Sequence, residues 1–130
     1  MTVKAQIIDG KVLSAQIRAE LAAKIAARGV CPVLSVVMGG NSEASRIYVR
    51  NKQKAALEVG IKCEIHTLPE DVTQEELQQF VCDLNQNKEI NGIIIQQPLP
   101  KHLEVLPLLQ LIDHKKDVDG FGPINLGLLM

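Results

Sequence analysis

Three side chains that can take part in chemistry, Ser45, Tyr48 and Lys52, recur at helical spacing in the first half of the chain. Separations of three and four residues place all three on one side of a helix. Such a face can present a hydroxyl, a flat ring and an amine to one ligand. The same spacing also fits a solvated helix face whose cations extend into water, so spacing alone leaves both interpretations open.

A second polar group follows an apolar run. Gln96 comes directly after residues 92–95 and precedes the turn Gln97-Pro98-Leu99-Pro100. A Gln that leaves a buried strand just before two closely spaced Pro residues has a fixed direction, because Pro restricts the backbone. Its amide can hold a catalytic amine or an amide-like ligand. A Gln that only satisfies loop backbone explains the residue equally well.

The third polar group is Lys116-Asp117-Val118-Asp119-Gly120. Two Asp residues two positions apart, followed by Gly, can bind a metal, cap a helix or accept N–H groups from a ligand. The later ligand positions of an EF-hand loop are missing, which argues against calcium. We expect Asp117 to shape the loop through backbone hydrogen bonds, since Asp side chains favour that role in turns.

The composition indicates one soluble globular domain. The chain has 130 residues, of which 46% are hydrophobic and 22% charged, with a net charge of -1, so it lacks the basic character of a nucleic-acid-binding protein. No apolar run approaches the roughly 20 residues of a membrane span, and Met1-Thr2-Val3-Lys4 does not begin a signal peptide, so we expect a cytoplasmic location. Cys31, Cys63 and Cys82 form no Cys-x-x-Cys pair, which argues against zinc and favours reduced thiols.

Apolar periodicity predicts helices separated by strands. A capping box of Thr73 and Glu76 marks the start of one helix, and Gly29 and Gly60 mark the ends of two others. Pro107 falls inside a predicted helix over residues 103–112, which it should kink or split. The predicted helices begin near residues 13, 42, 73, 103 and 123, the last opened by Pro123.

Apolar runs also predict three strands, at residues 33–38, 61–68 and 92–95. Intervening helices imply crossover connections, hence a three-layer α/β domain with a mainly parallel sheet. The first and third runs are apolar on both faces and should be interior strands. Because ligands bind at the carboxyl ends of such strands, the chemical groups should converge on one cleft. These are Ser45, Tyr48, Lys52, Gln96 and Asp119.

The order and spacing of the three groups closely resemble the bifunctional methylenetetrahydrofolate dehydrogenase/methenyltetrahydrofolate cyclohydrolase family. The resemblance extends over essentially the whole chain, including Ile8-Asp9-Gly10-Lys11, but covers only the first part of that family's chain. It rests on Ser45-x-x-Tyr48-Val49-Arg50-Asn51-Lys52, then Gln96-Gln97-Pro98-Leu99-Pro100, then Lys116-Asp117-Val118-Asp119-Gly120-Phe121.

The resemblance implies a folate-binding catalytic domain over residues 1–130, with residues from about 121 leading to an NAD(P)-binding Rossmann domain outside this chain. It implies oxidation of 5,10-methylenetetrahydrofolate with NADP or NAD, then hydrolysis of the methenyl product to 10-formyltetrahydrofolate. The parent enzyme is expected to be a homodimer, with its NADP site outside these residues. By the same resemblance Lys52 is catalytic, Gln96 supports it, Tyr48 stacks on the folate, Asp119 anchors the pterin, and Ser45 and Pro98 line the substrate site.

The sequence departs from the family pattern in its loops. Gly39-Gly40-Asn41-Ser42-Glu43 replaces the usual acidic and Pro-containing loop, Gly122 stands where the family has His, and the family's final Arg is absent from Asn125-Leu126-Gly127-Leu128-Leu129. Because the family's chain returns to pack on this domain, we expect the apolar residues at 124, 126 and 128–130 to be exposed.

Two rival functions stay open on the sequence. A short-chain reductase can use Tyr48 and Lys52 as a Tyr-x-x-x-Lys pair, but it needs a glycine-rich dinucleotide loop that Gly39-Gly40-Asn41-Ser42 does not match. A non-catalytic module can keep the same fold and bind no folate. Binding of NADPH would favour the reductase, and failure to bind a folate analogue would favour the module.

Overall fold

The computed structural model describes residues 5–130, so the prediction made for Met1 to Lys4 lies outside the described residues. Helices and strands alternate through most of the chain, as the apolar periodicity predicts. Their order is α1 (Gly10–Arg28), β1 (Val33–Gly39), α2 (Glu43–Val59), β2 (Lys62–Leu68), α3 (Gln74–Gln86), β3 (Gly92–Gln96), α4 (Val105–Leu111) and α5 (Pro123–Leu128).

The three strands form one parallel sheet in the order β2-β1-β3. In register, Val36 at the centre of β1 lies between Ile65 of β2 and Ile94 of β3. Val36 and Val37 are fully buried and point to opposite faces, since side chains alternate along a strand. The prediction that β1 is an interior strand is confirmed.

The prediction that β3 is an interior strand is wrong, because β3 lies at the end of the three-stranded sheet. Its apolar residues are nevertheless buried. A single parallel bridge between Ile93 and Asp117 covers its outer edge, and the Ile93 N–H donates to the Lys116 carbonyl oxygen at 2.8 Å. An apolar run indicates that both faces of a strand are buried, but it does not indicate that the strand is hydrogen-bonded to other strands along both of its edges.

Helices cover both faces of the sheet and complete the predicted three-layer α/β fold. On one face α2 packs against the sheet, with Val49 buried beside Val36 and Ile94, and α1 packs against α2. On the other face α3 and α4 enclose the larger core, in which Leu77 and Leu108 are fully buried. The sheet, including the ends of its strands, therefore lies between two layers of helices.

The helix ends follow local capping chemistry, as predicted. α1 and α2 end at Gly29 and Gly60, whose φ angles of 62° and 89° belong to the left-handed region. α3 begins with a capping box, in which Thr73 and Glu76 each bond to the other's backbone N–H. Pro123 occupies the start of α5, where its missing N–H costs no helical bond.

The prediction that Pro107 kinks or splits a helix is wrong, because α4 begins at Val105, later than expected. Pro107 is therefore in the first turn of α4. The N–H groups of a first turn have no partner within the helix, so a residue without an N–H is accommodated there. α4 is a short, continuous helix rather than a broken longer one.

Apolar side chains are exposed on two parts of the domain. Along α1, Leu13, Ile17 and Leu21 are 39–54% exposed, and only Ile25 of that stripe is buried. The exposure expected near residue 130 is confirmed, and the stripe on α1 adds a second apolar surface. The exposed residues near residue 130 are Ile124, Leu126, Leu128, Leu129 and Met130.

No helix in the described part of the chain is long and apolar enough to span a membrane.

Replacing Glu76 with Gln is expected to remove a pH-dependent part of the stability. The backbone N–H of Thr73 donates to the Glu76 carboxylate at 2.9 Å, and this bond, together with the Thr73 hydroxyl, holds the Glu76 pKa below its ordinary value. Such a carboxyl contributes stability above its unfolded-state pKa of about 4.3, and the contribution is lost as the pH falls through the lower folded-state pKa. The Tm difference between wild type and E76Q should therefore be largest at neutral pH and shrink under acid. Thermal unfolding at several pH values measures it, and a difference that does not change with pH contradicts the prediction.

Candidate active site

Helix α2 carries Ser45, Tyr48 and Lys52 on one side, as their spacing predicts. Ser42 caps the helix and accepts a hydrogen bond from the Ser45 N–H at 3.5 Å. Ser45 is buried, and its hydroxyl has no hydrogen-bond partner among the described residues. Tyr48 is 64% exposed, which leaves its ring open to a ligand. The first turns of the helix therefore carry a buried hydroxyl without a hydrogen-bond partner among the described residues, an exposed ring and a half-buried lysine.

The Lys52 ammonium donates to Oε1 of Gln96 at 2.9 Å, across 44 positions of sequence. Gln96 is the last residue of β3, and its own amide N–H donates to the Gln97 carbonyl oxygen at 2.8 Å. This second bond turns Oε1 toward the lysine, because the amide group has one acceptor and one donor end. The structure thus brings the predicted pair together, while the catalytic role of each stays a prediction.

Lys52 keeps donor capacity after this contact. An ammonium has three N–H bonds, and the bond to Gln96 is the one hydrogen bond that the Lys52 side chain makes within residues 5–130. Lys52 is half-buried as a residue, so it is partly shielded from solvent. A group of this kind can orient a water molecule or a substrate oxygen while Gln96 holds its position.

The strand under α2 contributes a thiol to the surroundings of Lys52. Burial raises the pKa of the Cys63 thiol, and the positive charge of Lys52 opposes that effect. Gln53 fastens α2 to this strand by donating to the Cys63 carbonyl oxygen at 3.3 Å. Among the described residues no group of three His, Cys, Asp or Glu side chains is placed to hold a metal ion.

Pro98 lines a cavity of about 250 Å³ between the loop after β1 and the turn after β3. The Gln97–Pro98 peptide bond is cis. Glu70 from the loop after β2 joins the same cavity, and sequence reasoning did not select it. No motif marks Glu70, because it reaches the cavity from the β2–α3 connection. Pro98 is the one predicted site residue that lines this cavity. The cavity also borders Gly39, Gly40 and the capping residue Ser42.

Asp119 lies in a loop along the outer edge of β3. The loop starts at the bridge between Ile93 and Asp117 and runs in the direction of β3, whose last residue is Gln96. Gly92 allows the close approach, since a Cβ there would lie 2.5 Å from a methyl carbon of Val118. The Asp119 carboxylate is exposed and accepts no hydrogen bond from the described residues.

Asp117 has the structural role expected of it. Its carboxylate accepts hydrogen bonds from the N–H groups of Gly120 and Gly122, at 3.1 and 2.8 Å, and from the Asn125 amide at 3.0 Å. These bonds close the loop around Asp119 and tie it to α5. Of the five predicted site residues, Lys52 and Gln96 are the two that share a hydrogen bond in the described part of the chain. Convergence of all five on one cleft therefore stays a prediction.

Comparison with known proteins gives one family. Residues 8–119 match the family model described as tetrahydrofolate dehydrogenase/cyclohydrolase, catalytic domain. The bifunctional protein FolD of Streptococcus pneumoniae is 45% identical over 128 residues, which are 95% of this chain and 45% of that protein. The crystal structure of the bifunctional FolD enzyme of Campylobacter jejuni is similar with a TM-score of 0.89 and 43% identity, over 93% of this chain and 44% of that one.

A third relative adds a cofactor complex. The Trypanosoma brucei methylenetetrahydrofolate dehydrogenase-cyclohydrolase, solved with NADP cofactor and inhibitor, has a TM-score of 0.87 and 35% identity over 98% of this chain and 45% of that one. The chain thus spans about half the length of the relatives that it matches. The likeness extends over the strands and helices that carry both the Lys52–Gln96 pair and Asp119.

Proposed function

Because the chain belongs to the tetrahydrofolate dehydrogenase/cyclohydrolase family, we propose that it carries the folate site and catalytic lysine of such an enzyme. The activity proposed for the whole protein is oxidation of 5,10-methylenetetrahydrofolate and hydrolysis of the methenyl product to 10-formyltetrahydrofolate. The observation that carries the proposal is the 2.9 Å bond between Lys52 and Gln96. A helix and a strand end that are far apart in sequence hold an amine in a defined place.

In the hydrolytic step, Lys52 positions water at the methenyl carbon. That carbon is bonded to two nitrogens and carries positive charge, so it accepts the oxygen of water. One proton of the added water goes to solvent. The C–N bond then breaks with its electron pair going to the nitrogen, and the formyl group stays on the other nitrogen. The free N–H groups of Lys52 hold the oxygen of the water, and Lys52 donates a proton to the leaving nitrogen and regains one from the hydroxyl on the former methenyl carbon. Gln96 acts through Lys52 by holding it, so Gln96 is a positioning residue.

The folate is bound by residues around this pair. The exposed Tyr48 ring offers a flat surface for stacking at low entropy cost. The uncommitted Asp119 carboxylate accepts N–H groups of the pterin in a charge-assisted contact. Ser45 supplies a buried hydroxyl without a partner among residues 5–130, and Pro98 forms part of the wall.

The described residues do not fit the phosphates of NADP. The loop after β1 lacks a Gly-x-Gly-x-x-Gly pattern, and the Glu70 side chain borders Gly40, where a carboxylate would repel a pyrophosphate. The nucleotide site of the whole enzyme therefore lies outside these residues in this proposal. A homodimeric parent enzyme and a cytoplasmic location belong to the same proposal.

Titration of the chain with a non-hydrolysable 5,10-bridged tetrahydrofolate analogue, followed by calorimetry, tests the folate site. Saturable binding to one site is the expected result, because Tyr48, Lys52, Gln96 and Asp119 are all within the chain. A parallel titration with NADPH serves as the control and should give no binding. Absence of folate binding contradicts the proposal and favours a non-catalytic module, whereas NADPH binding alone favours a Tyr48–Lys52 reductase.

A further inference from the structure

The Lys116 side chain caps the end of α3. Its ammonium donates to the carbonyl oxygens of Leu84, Asn85 and Asn87 at 3.0, 2.7 and 2.8 Å. The three bonds use all three N–H groups of the ammonium. The last carbonyls of a helix have no partner within it, and its C-terminus attracts positive charge, so this contact is favourable on both counts.

The end of α3 differs from the ends of the two longer helices. α1 and α2 end at a glycine in the left-handed region, which allows the backbone to cap itself. α3 ends at Asn87 with φ -73° and ψ 110°, an extended conformation. Its last carbonyl oxygens therefore accept hydrogen bonds from Lys116, a residue about 30 positions further along the chain.

The backbone of Lys116 is fixed to a different layer. Its carbonyl oxygen accepts the Ile93 N–H of β3 at 2.8 Å, and its N–H donates to the Asp113 carbonyl oxygen at 2.7 Å. The residue is thereby held to the sheet by its main chain and to α3 by its side chain. Rotation or translation of the segment would break bonds at both attachments.

This double attachment is next to the loop that carries Asp119. Asp117 follows Lys116 directly and closes the loop through Gly120, Gly122 and Asn125. The Asp119 carboxylate has no hydrogen bond of its own within the described residues. Its place is therefore set by the loop backbone, and the start of that backbone is set by Lys116.

We propose that Lys116 is a positioning residue for folate binding, which acts by anchoring the start of the Asp119 loop between β3 and the end of α3. The inference rests on the proposed function, since Asp119 matters here as the group that binds the pterin. Lys116 touches no substrate. Its loss leaves the Asp119 carboxylate present but spread over more positions, so fewer molecules hold it where the pterin N–H groups lie.

A double-mutant cycle tests the proposal by titration of the chain with the bridged folate analogue. Lys116→Met should raise the Kd about tenfold in the wild-type background and less than about twofold in an Asp119→Ala background, because coupled residues are not additive. The matched control is Lys115→Met. Lys115 is the exposed neighbour, and its side chain makes no hydrogen bond within residues 5–130, so its Kd should equal that of wild type.

A merely structural role gives a different pattern. In that case Lys116→Met lowers the Tm but leaves the Kd of the folded protein unchanged, or raises it equally in both backgrounds, and either result overturns the proposal. Circular dichroism sets the temperature at which each variant is folded. If Lys116→Met does not fold, Lys116→Gln replaces it in the same cycle, since one amide N–H group can still reach the α3 carbonyls.

Two further measurements are the Kd of a conservative variant, Lys116→Arg, and the Kd of the wild-type chain. Lys116→Arg keeps several N–H donors and should stay within about threefold of the wild-type Kd, because a guanidinium can also bond to several carbonyls. A larger loss in this folded variant contradicts the capping mechanism. Wild-type protein that does not bind the analogue removes the proposed function and this inference together, whereas normal binding with equal Kd values for wild type and Lys116→Met removes this inference alone.

Discussion

Replacing Lys52 with Met is expected to reduce hydrolysis of 5,10-methenyltetrahydrofolate by about a hundredfold to ten-thousandfold, the usual contribution of a positioned proton-transfer group. Met has nearly the length of the lysine stem but no amine, so it fills the same space without orienting water. The amine makes one side-chain hydrogen bond within the described residues, to Gln96, and this limits the structural cost of the change. The fold should therefore survive while the hydrolytic step fails.

The assay uses a hybrid enzyme in which this chain replaces the matching segment of the Campylobacter jejuni FolD relative. Hydrolysis is followed by the loss of near-ultraviolet absorbance of the methenyl compound. Lys54→Met is the matched control. Lys54 is exposed, and two positions along a helix turn a side chain about 200° away, so this variant should keep wild-type rates. Full hydrolysis by the Lys52→Met hybrid would remove Lys52 from the mechanism.

Replacing Asp119 with Ala is expected to weaken folate binding by about 1.5–3 kcal/mol, the usual cost of losing a hydrogen bond to a charged group. This corresponds to a rise in Kd of about tenfold to 150-fold. The Asp119 carboxylate has no internal partner among residues 5–130, so its removal breaks no bond of the folded domain. Affinity should fall while the Tm stays close to that of wild type.

Calorimetric titration with the bridged folate analogue measures the loss. Glu89→Ala is the charge control, since Glu89 is an exposed carboxylate before β3, at the opposite end of the strand from Gln96. Removing it changes the net charge by the same amount and should leave the Kd unchanged. If the two variants lose equal affinity, Asp119 contributes through general charge and does not anchor the pterin.

The sequence by itself determined the features that depend on near neighbours in the chain. These features are the capping box at Thr73, the glycine that ends α2 and the apolar runs of the strands. Each depends on residues a few positions apart, so the order of helices and strands, and with it the fold class, could be predicted. The chemical candidates were also identifiable, because a Gln at a strand end and a Lys on a helix face have directions set by their own elements. Their meeting at 2.9 Å agrees with those directions.

Local patterns could not determine contacts in which several partners were possible. The apolar run of β3 indicated burial, but the structure decided that a loop rather than a strand covers its outer edge. The apolar stripe of α1 indicated an amphipathic helix, yet packing buries Ile25 and leaves Leu13 and Ile17 exposed. Both outcomes depend on which distant segments reach a given surface.

The same limit of local sequence applies to Lys115 and Lys116, which are adjacent and of the same type but have different surroundings. Nothing in the local sequence separates them, because each is a lysine before the Asp117 motif. The backbone bond between Ile93 and Lys116 fixes the segment against β3, and from that position the Lys116 side chain reaches the open carbonyls of α3 while Lys115 extends into solvent. The sequence contains two adjacent lysines, and the tertiary structure determines that Lys116 is the one that caps α3. The reason is that the Lys116 side chain reaches carbonyl oxygens that have no partner within the helix.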